Sequence, residues 1–228
     1  MGINARGGYV AEDLRTVLRG IEVFAGELPV FDASAAPATP EELFTQWLLH
    51  AIDAGVREPH AMTLSTAGAD GNPSARVLIL KNVDAQGWQF ASDRGGAKGR
   101  ELRERPFAAL TFYWPALARQ VRVRGPVTPA SPEASRADFL ARGPGARAES
   151  LLGRQSQPLT DPAERTAAVA ASLARVGREP GLVPEGWQLL TVRAESVEFW
   201  QGDKARSHTR LTYRANGNGG WERQLLWP

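Results

Sequence analysis

Ala61-Met62-Thr63-Leu64-Ser65-Thr66-Ala67-Gly68-Ala69-Asp70-Gly71-Asn72-Pro73-Ser74-Ala75-Arg76-Val77-Leu78-Ile79-Leu80-Lys81-Asn82 is the stretch whose reading decides the fold. Apolar residues recur at every second position in 61–66 and crowd together in 74–82, which predicts two strands. Between them, Gly68-Ala69-Asp70-Gly71-Asn72-Pro73 is turn chemistry, so the strands pair antiparallel. With Val, Leu and Ile on both faces, 74–82 reads as a strand buried on both sides. Arg76 and Lys81 bracket it. Strict alternation puts Arg76 with Leu78 and Leu80, and Lys81 opposite with Val77 and Ile79. The two cations can therefore share a ligand only if the strand ends, bulges or lies at a subunit interface.

The same period continues outward. Trp88–Ser92, Phe107–Tyr113, Arg119–Thr128, Trp187–Trp200, Ser207–Arg214 and Trp221–Leu226 read as strands, the last two joined by the hairpin turn Asn216-Gly217-Asn218-Gly219. Helices interrupt them. Pro40-Glu41-Glu42 opens one, with Thr39 as N-cap, acids at the positive end of the dipole and Leu43, Trp47, Leu48, Ala51 and Ile52 at helical spacing; Gly55 ends it. Ala97–Arg105, Pro132–Ala141 and a stretch around Ala163–Val176 are also helical. Residues 1–40 read as a peripheral extension, with a short amphipathic stretch from Glu12 to Ile21, ahead of one domain over 41–228. Many short strands with a few interspersed helices predict an α+β chain: an antiparallel barrel or sheet with helices packed on it.

Composition narrows the chemistry. The 228 residues hold 43% hydrophobic and 23% charged side chains, an ordinary globular balance. Twenty-seven Lys and Arg oppose 25 Asp and Glu, so net charge is only +2 and local basic patches matter more than the total. That balance, without a module signature, argues against nucleic acid as a partner. The lack of cysteine removes disulfides, thiolate metal sites and a Cys nucleophile, and suits a reducing cytoplasm. No apolar run approaches the about 20 residues of a membrane span, and no leader pattern opens the chain. His50, His60 and His208 lack metal-ligand spacing, and there is no nucleophile elbow.

Five pieces can carry chemistry. Arg76 and Lys81 form the first. Ser92-Asp93-Arg94-Gly95-Gly96-Ala97-Lys98-Gly99-Arg100 is a strand, a glycine turn and a helix start, where free N–H groups and the dipole favour a phosphate. Gln120, Arg122 and Arg124 share one strand face, an amide among cations. Arg154-Gln155-Ser156-Gln157 is a polar loop. Glu198-Phe199-Trp200-Gln201-Gly202 precedes Arg206-Ser207-His208-Thr209-Arg210; if 206–210 is extended, Arg206, His208 and Arg210 share a face beside Trp200. Alone, each piece is equally what a solvated strand or plain turn carries.

In this order the five resemble the pyridoxamine 5′-phosphate oxidase family of FMN enzymes, a likeness that covers roughly residues 40–228. The resemblance implies a split β-barrel homodimer with FMN between the subunits, so that faces of two chains line each site. By match, Arg76, Ser92 and Lys98 hold the FMN phosphate and ribityl end, with Val77 and Lys81 among the cofactor contacts. Gln120, Gln155, Ser156, Trp200 and Arg210 hold the rest of the flavin. Lys81 and Arg142 grip the substrate phosphate, with Asp138 beside them. Arg206 and His208 are the catalytic pair against the substrate ring. The implied reaction turns pyridoxamine or pyridoxine 5′-phosphate into pyridoxal 5′-phosphate, with hydride passing to flavin N5 and electrons to O₂. No metal is implied.

Departures from the pattern accompany the likeness. The family's phosphate pocket pairs its Lys and Arg with a Tyr and a Ser; Asp138 and Ala146 stand at those positions, and Ala97 replaces an Arg beside Lys98. An anionic Asp138 repels a phosphate unless it pairs with Arg142 or turns away. The related phenazine-biosynthesis flavin oxidases, which act on larger non-phosphorylated tricyclic substrates, are the alternative, and Gly55-Val56-Arg57-Glu58-Pro59 looks like that branch. A non-catalytic flavin- or pyridoxal-phosphate-binding protein is the third reading; the Arg206/His208 pair speaks against it.

Overall fold

The computed structural model describes residues 13–228. A short helix α1 (Leu14–Arg19) and an extended segment precede α2 (Pro40–Asp53). Nine strands follow: β1 (Ala61–Ala67), β2 (Pro73–Asp84), β3 (Gly87–Asp93), β4 (Phe107–Trp114), β5 (Arg119–Pro129), β6 (Trp187–Val192), β7 (Ser196–Gln201), β8 (Thr209–Ala215) and β9 (Trp221–Leu225). Helix α3 (Ala97–Glu104) links β3 to β4, while α4 (Pro132–Leu140), α5 (Pro144–Leu151) and α6 (Pro162–Arg178) fill the excursion from β5 to β6. Part of the segment expected to be amphipathic from Glu12 lies outside the described residues.

Strand order is β4-β1-β2-β3-β6-β5, and pairing of β4 with β5 closes these six into a barrel. Strands β7, β8 and β9 extend the sheet from β5. All the pairings are antiparallel. The predicted barrel with packed helices is therefore what forms.

Alternation explains the core. In β1 every second residue is buried, Met62, Leu64 and Thr66. Phe90, Leu110, Phe112, Val121, Val123, Val192, Val197 and Phe199 are also fully buried. Helix α2 lays Leu43, Phe44, Trp47 and Ala51 onto that interior. Phe44 meets Phe112 edge-on at 4.7 Å and Trp88 at 5.7 Å. Trp47 meets Phe199 at 5.2 Å and Phe31 at 5.0 Å, so the N-terminal extension is tied down from Phe31 onward. Burying each such ring is worth about 1.5–3 kcal/mol. The Thr39 hydroxyl caps α2 by accepting from the Glu42 N–H, as its sequence predicts.

Three expectations change. β2 is not buried on both faces: Leu80 points inward, whereas Val77 is 66% and Ile79 39% exposed. Its second apolar face lies on the outside of the barrel. Trp187–Trp200 is two strands, broken at Arg193–Glu195. Both run along one edge of β5, but the ladder gives way where Pro126 has no N–H and Gly125 lets the Arg193 carbonyl approach; a Cβ there would sit 1.9 Å from that oxygen. The break turns β6 into the barrel and β7 outward. Helix α5 was not foreseen. It starts on a Gly143 N-cap with Pro144 at its first turn, a start signal to which the sequence reading assigned no element.

Candidate active site

A cavity of about 540 Å³ opens between the barrel wall and the α4–α6 excursion. Leu78 of β2, Ser92 of β3, Lys98 of α3, Arg142 and Ser150 from the α4–α5 region, Gln155 and Trp187 line it. One end is built around Lys98, only 7% exposed. Its ammonium donates to the Gln155 amide oxygen at 2.9 Å, a neutral partner. Burial lowers the Lys98 pKa and the like charge of Arg76 lowers it further, while Asp93 and Glu101 pull the other way. The glycine turn is sterically required here, because a Cβ on Gly96 would lie 2.4 Å from the Gln155 oxygen and one on Gly99 2.3 Å from the Asp93 carbonyl. No side chain caps α3, so its first N–H groups have no side-chain partner at the helix start that carries Lys98.

Arg76 stands behind Lys98, held by Glu101 at 3.0 Å and by hydrogen bonds to Ser74 and Thr66. Burial works to raise the Glu101 carboxyl, but hydrogen bonds from Thr66 and Arg76 and the Arg76 charge outweigh it and hold it below the usual range. Gln155 reaches the cavity, and its neighbour Ser156 adopts a left-handed conformation at φ 68°.

The parity problem is answered next to the other end, where Lys81 and Asp138 stand beside the lining residues Arg142 and Trp187 without lining the cavity themselves. A bulge between Leu80 and Asn82 takes Lys81 out of strict alternation. Its ammonium lies 3.4 Å from Asp138, whose other oxygen accepts from the Trp187 indole N–H at 3.0 Å. Asp138 thus pairs with Lys81, not with Arg142. Arg142 stacks on the Trp187 ring at 4.3 Å and donates to the Ser150 hydroxyl at 2.6 Å. Burial pushes its pKa down and Asp138 partly restores it.

The remaining predicted residues form a second cluster on adjacent strands. Gln120 of β5 is the register partner of Trp200 in β7, which in turn faces Arg210 in β8. Arg210 is clamped by both Glu198 oxygens, at 3.3 and 3.0 Å, and by the Trp227 carbonyl at 2.8 Å. His208 lies against Trp200, ring centroids 5.0 Å apart, and its Nδ1 accepts the Asp203 N–H at 3.0 Å. In the neutral ring this leaves the proton on Nε2, free to donate. The expected extended run 206–210 does not form. β8 begins at Thr209, and Arg206 sits exposed in a turn at φ 66° that Asp203 organises by accepting the Ala205 and Ser207 N–H groups. Gln120, Trp200, Arg206, His208 and Arg210 do not line the cavity with Lys98 and Arg142. Val77 lies on neither cluster's inner side but on the exposed barrel face.

Sequence reasoning missed two contributors. Phe24 packs on Trp200 at 6.0 Å and edge-on to His208 at 5.7 Å, from a segment without any periodic signal. Ser150 was missed because no element was assigned to the stretch that forms α5. Among the described residues, no group of three or more His, Asp or Glu is placed to hold a metal, and no helix is long and apolar enough to cross a membrane.

Comparison with known proteins bears on both clusters. Residues 48–176 match the family model described as pyridoxamine 5′-phosphate oxidase, and 187–228 match that of the pyridoxine 5′-phosphate oxidase C-terminal dimerisation region. A pyridoxine/pyridoxamine 5′-phosphate oxidase of Bordetella petrii is 43% identical over 85% of this chain and 91% of its own length. One from Pseudomonas fluorescens is 40% identical over 85% and 90%. Among solved structures, PhzG from Burkholderia lata, in complex with tetrahydrophenazine-1-carboxylic acid, is 30% identical with a TM-score of 0.82, covering 89% of this chain and all of that one. A pyridoxamine 5′-phosphate oxidase-related, FMN-binding protein from Nostoc punctiforme shares the fold at 18% identity and a TM-score of 0.67, over 83% and 98%.

Proposed function

The chain belongs to the pyridoxamine 5′-phosphate oxidase family, and from that premise we propose that it is an FMN-dependent oxidase of a reduced heteroaromatic substrate, with pyridoxine or pyridoxamine 5′-phosphate the first candidates. The observation that carries the cofactor is Lys98: a buried ammonium with a neutral partner, backed by Arg76 and set at a glycine-built helix start. Such a group calls for an anion, and a phosphate dianion suits it. When bound, FMN supplies the two-electron acceptor and its reoxidation by O₂.

The residues then divide the work. Arg76, Ser92 and Lys98 hold the phosphate and ribityl end, and Gln155 with Ser156 borders the ring. Gln120, Trp200 and Arg210 belong to a different surface of the same chain, which fits a homodimer whose second copy completes each flavin site. The match to a dimerisation region and the exposed Val77 and Ile79 on β2 support that arrangement. Arg142 and Ser150 receive the substrate's anionic group, with Lys81 paired to Asp138 beside them. His208 presents Nε2–H toward the substrate ring, and Arg206 brings a positive charge that favours the electron-rich side of the transition state.

A second reading, oxidation of a tricyclic carboxylate, is favoured by the likeness to PhzG and by the engagement of Lys81 with Asp138. Anaerobic flavin reduction tests both. Protein loaded with FMN and stripped of oxygen is mixed with either vitamer phosphate while the visible flavin band is followed. Bleaching that air reverses supports the vitamin B6 reaction. Firm FMN binding without bleaching moves the substrate to the carboxylate class. Failure to retain added FMN overturns the oxidase reading.

A further inference from the structure

Beside Arg142 and Trp187, which line the substrate end of the cavity, stands a carboxylate that does not itself line it, Asp138. Asp138 is 12% exposed, and both of its oxygens are engaged, one by the Lys81 ammonium and one by the Trp187 indole. Lys81 is therefore already neutralised. Arg142 makes no ion pair among the described residues; it lies flat on Trp187, with one terminal nitrogen on Ser150. The Ser150 hydroxyl donates to the Ala146 carbonyl, one helical turn earlier. The hydroxyl of this wall thus stands a turn further along α5 than the position, Ala146, where the family resemblance expects one. Together these groups present one guanidinium without an ion-pair partner, its charge partly offset by the nearby Asp138, with one hydroxyl beside it.

We propose that Asp138 sets the charge selectivity of this end, so that Arg142 and Ser150 take a planar, singly charged anion, a carboxylate on a heteroaromatic ring, in preference to a phosphate dianion. The proposal rests on the reading of this cavity as the substrate site. A carboxylate matches the flat guanidinium fork with two parallel hydrogen bonds. A phosphate dianion needs a second free cation and would lie against the Asp138 carboxylate. Vitamer phosphates then bind only at raised concentration.

Calorimetric titration with two probes, phenazine-1-carboxylate and pyridoxal 5′-phosphate, tests this on the FMN-treated protein. In the unaltered chain the carboxylate is expected to bind more tightly; the reverse order overturns the proposal. Asp138→Asn keeps an oxygen for Trp187 and frees Lys81. It is expected to tighten pyridoxal 5′-phosphate about tenfold and to move phenazine-1-carboxylate less than about twofold. Adding Lys81→Met to that variant is expected to erase the gain. An Asp138→Asn protein whose phosphate affinity is unchanged, or whose two affinities move together, sinks the idea. FMN retention is read from the flavin absorbance of the same sample, so loss of FMN counts against the oxidase reading, and the order of the two affinities in FMN-loaded protein counts for or against this one.

Discussion

The cavity wall and the β7–β8 surface carry the same residue types and hold them differently. On the wall, Lys98 is a buried and Arg142 a half-buried cation, with neutral hydrogen-bond partners in Gln155 and Ser150, so their charge remains available to a ligand. On the strand surface, Arg210 is consumed by Glu198, while Arg206 is exposed in a left-handed turn and His208 is oriented by the Asp203 N–H. Desolvated cations without counter-ions are costly unless an anion arrives, so the wall is built for retention. An exposed cation on a turn costs little and can adjust, so the strand surface is built for presentation.

The largest expected effect asks whether the two regions share one core. Phe199, beneath the strand surface, is fully buried against Trp47 and Tyr213. Phe199→Ala is expected to cost about 3–5 kcal/mol in urea unfolding with a single transition; two separate transitions would detach the β7–β9 extension from the barrel. Next comes the functional contrast. Lys98→Met is expected to weaken FMN binding about a hundredfold, read by flavin fluorescence. Arg206→Ala is expected to leave that affinity within about threefold and to slow anaerobic flavin reduction about a hundredfold. If both variants lose both properties equally, the division of labour fails.

A smaller effect is the pH dependence of the wall. The folded-state pKa of Lys98 lies below its ordinary 10.5. The folded apo-protein therefore gives up this proton before the unfolded chain does, and Lys98 by itself makes stability rise with pH between its lowered pKa and 10.5. FMN affinity runs the opposite way: it is full while the ammonium is charged and declines as pH climbs through the lowered value. A severalfold loss is expected on the alkaline side, and Lys98→Arg, which stays protonated, is expected to flatten it. The smallest effect concerns Phe24. Its removal as Phe24→Ala is expected to raise the substrate KM a few-fold without changing FMN affinity; a changed FMN affinity would place Phe24 with the wall instead.

Local signals carried much of this molecule. Thr39-Pro40-Glu41-Glu42 specified the start of α2 because capping is decided within four residues. Alternation along β1, β4 and β5 specified which side chains face the interior, and the glycine turn at Gly95-Gly96 marked the cation end of the cavity. Gln120, Trp200 and Arg210 were foreseen as site residues, and their cross-strand register brings them side by side. Trp187–Trp200 was misread because its period-two pattern runs on through a break caused by Gly125 and Pro126 in another strand. Arg206 was grouped with His208 and Arg210 on one face on the condition that 206–210 is extended, a condition broken by the turn that the Asp203 carboxylate holds.

What the sequence determined by itself is therefore most of the strands and helices, an antiparallel barrel or sheet with helices packed on it, and many of the polar residues, since these follow from periodicity, caps and turn chemistry within short windows. Only the tertiary structure decided the partners: the bulge that brings Lys81 to Asp138, the stacking of Arg142 on Trp187, the Gln155 oxygen on Lys98 and the docking of Phe24 on Trp200 and His208. These contacts join residues 45 to 184 positions apart or depend on one irregular residue in a ladder. No local pattern encodes them, because the energy that selects them comes from burial and charge pairing that exist only after the barrel has closed.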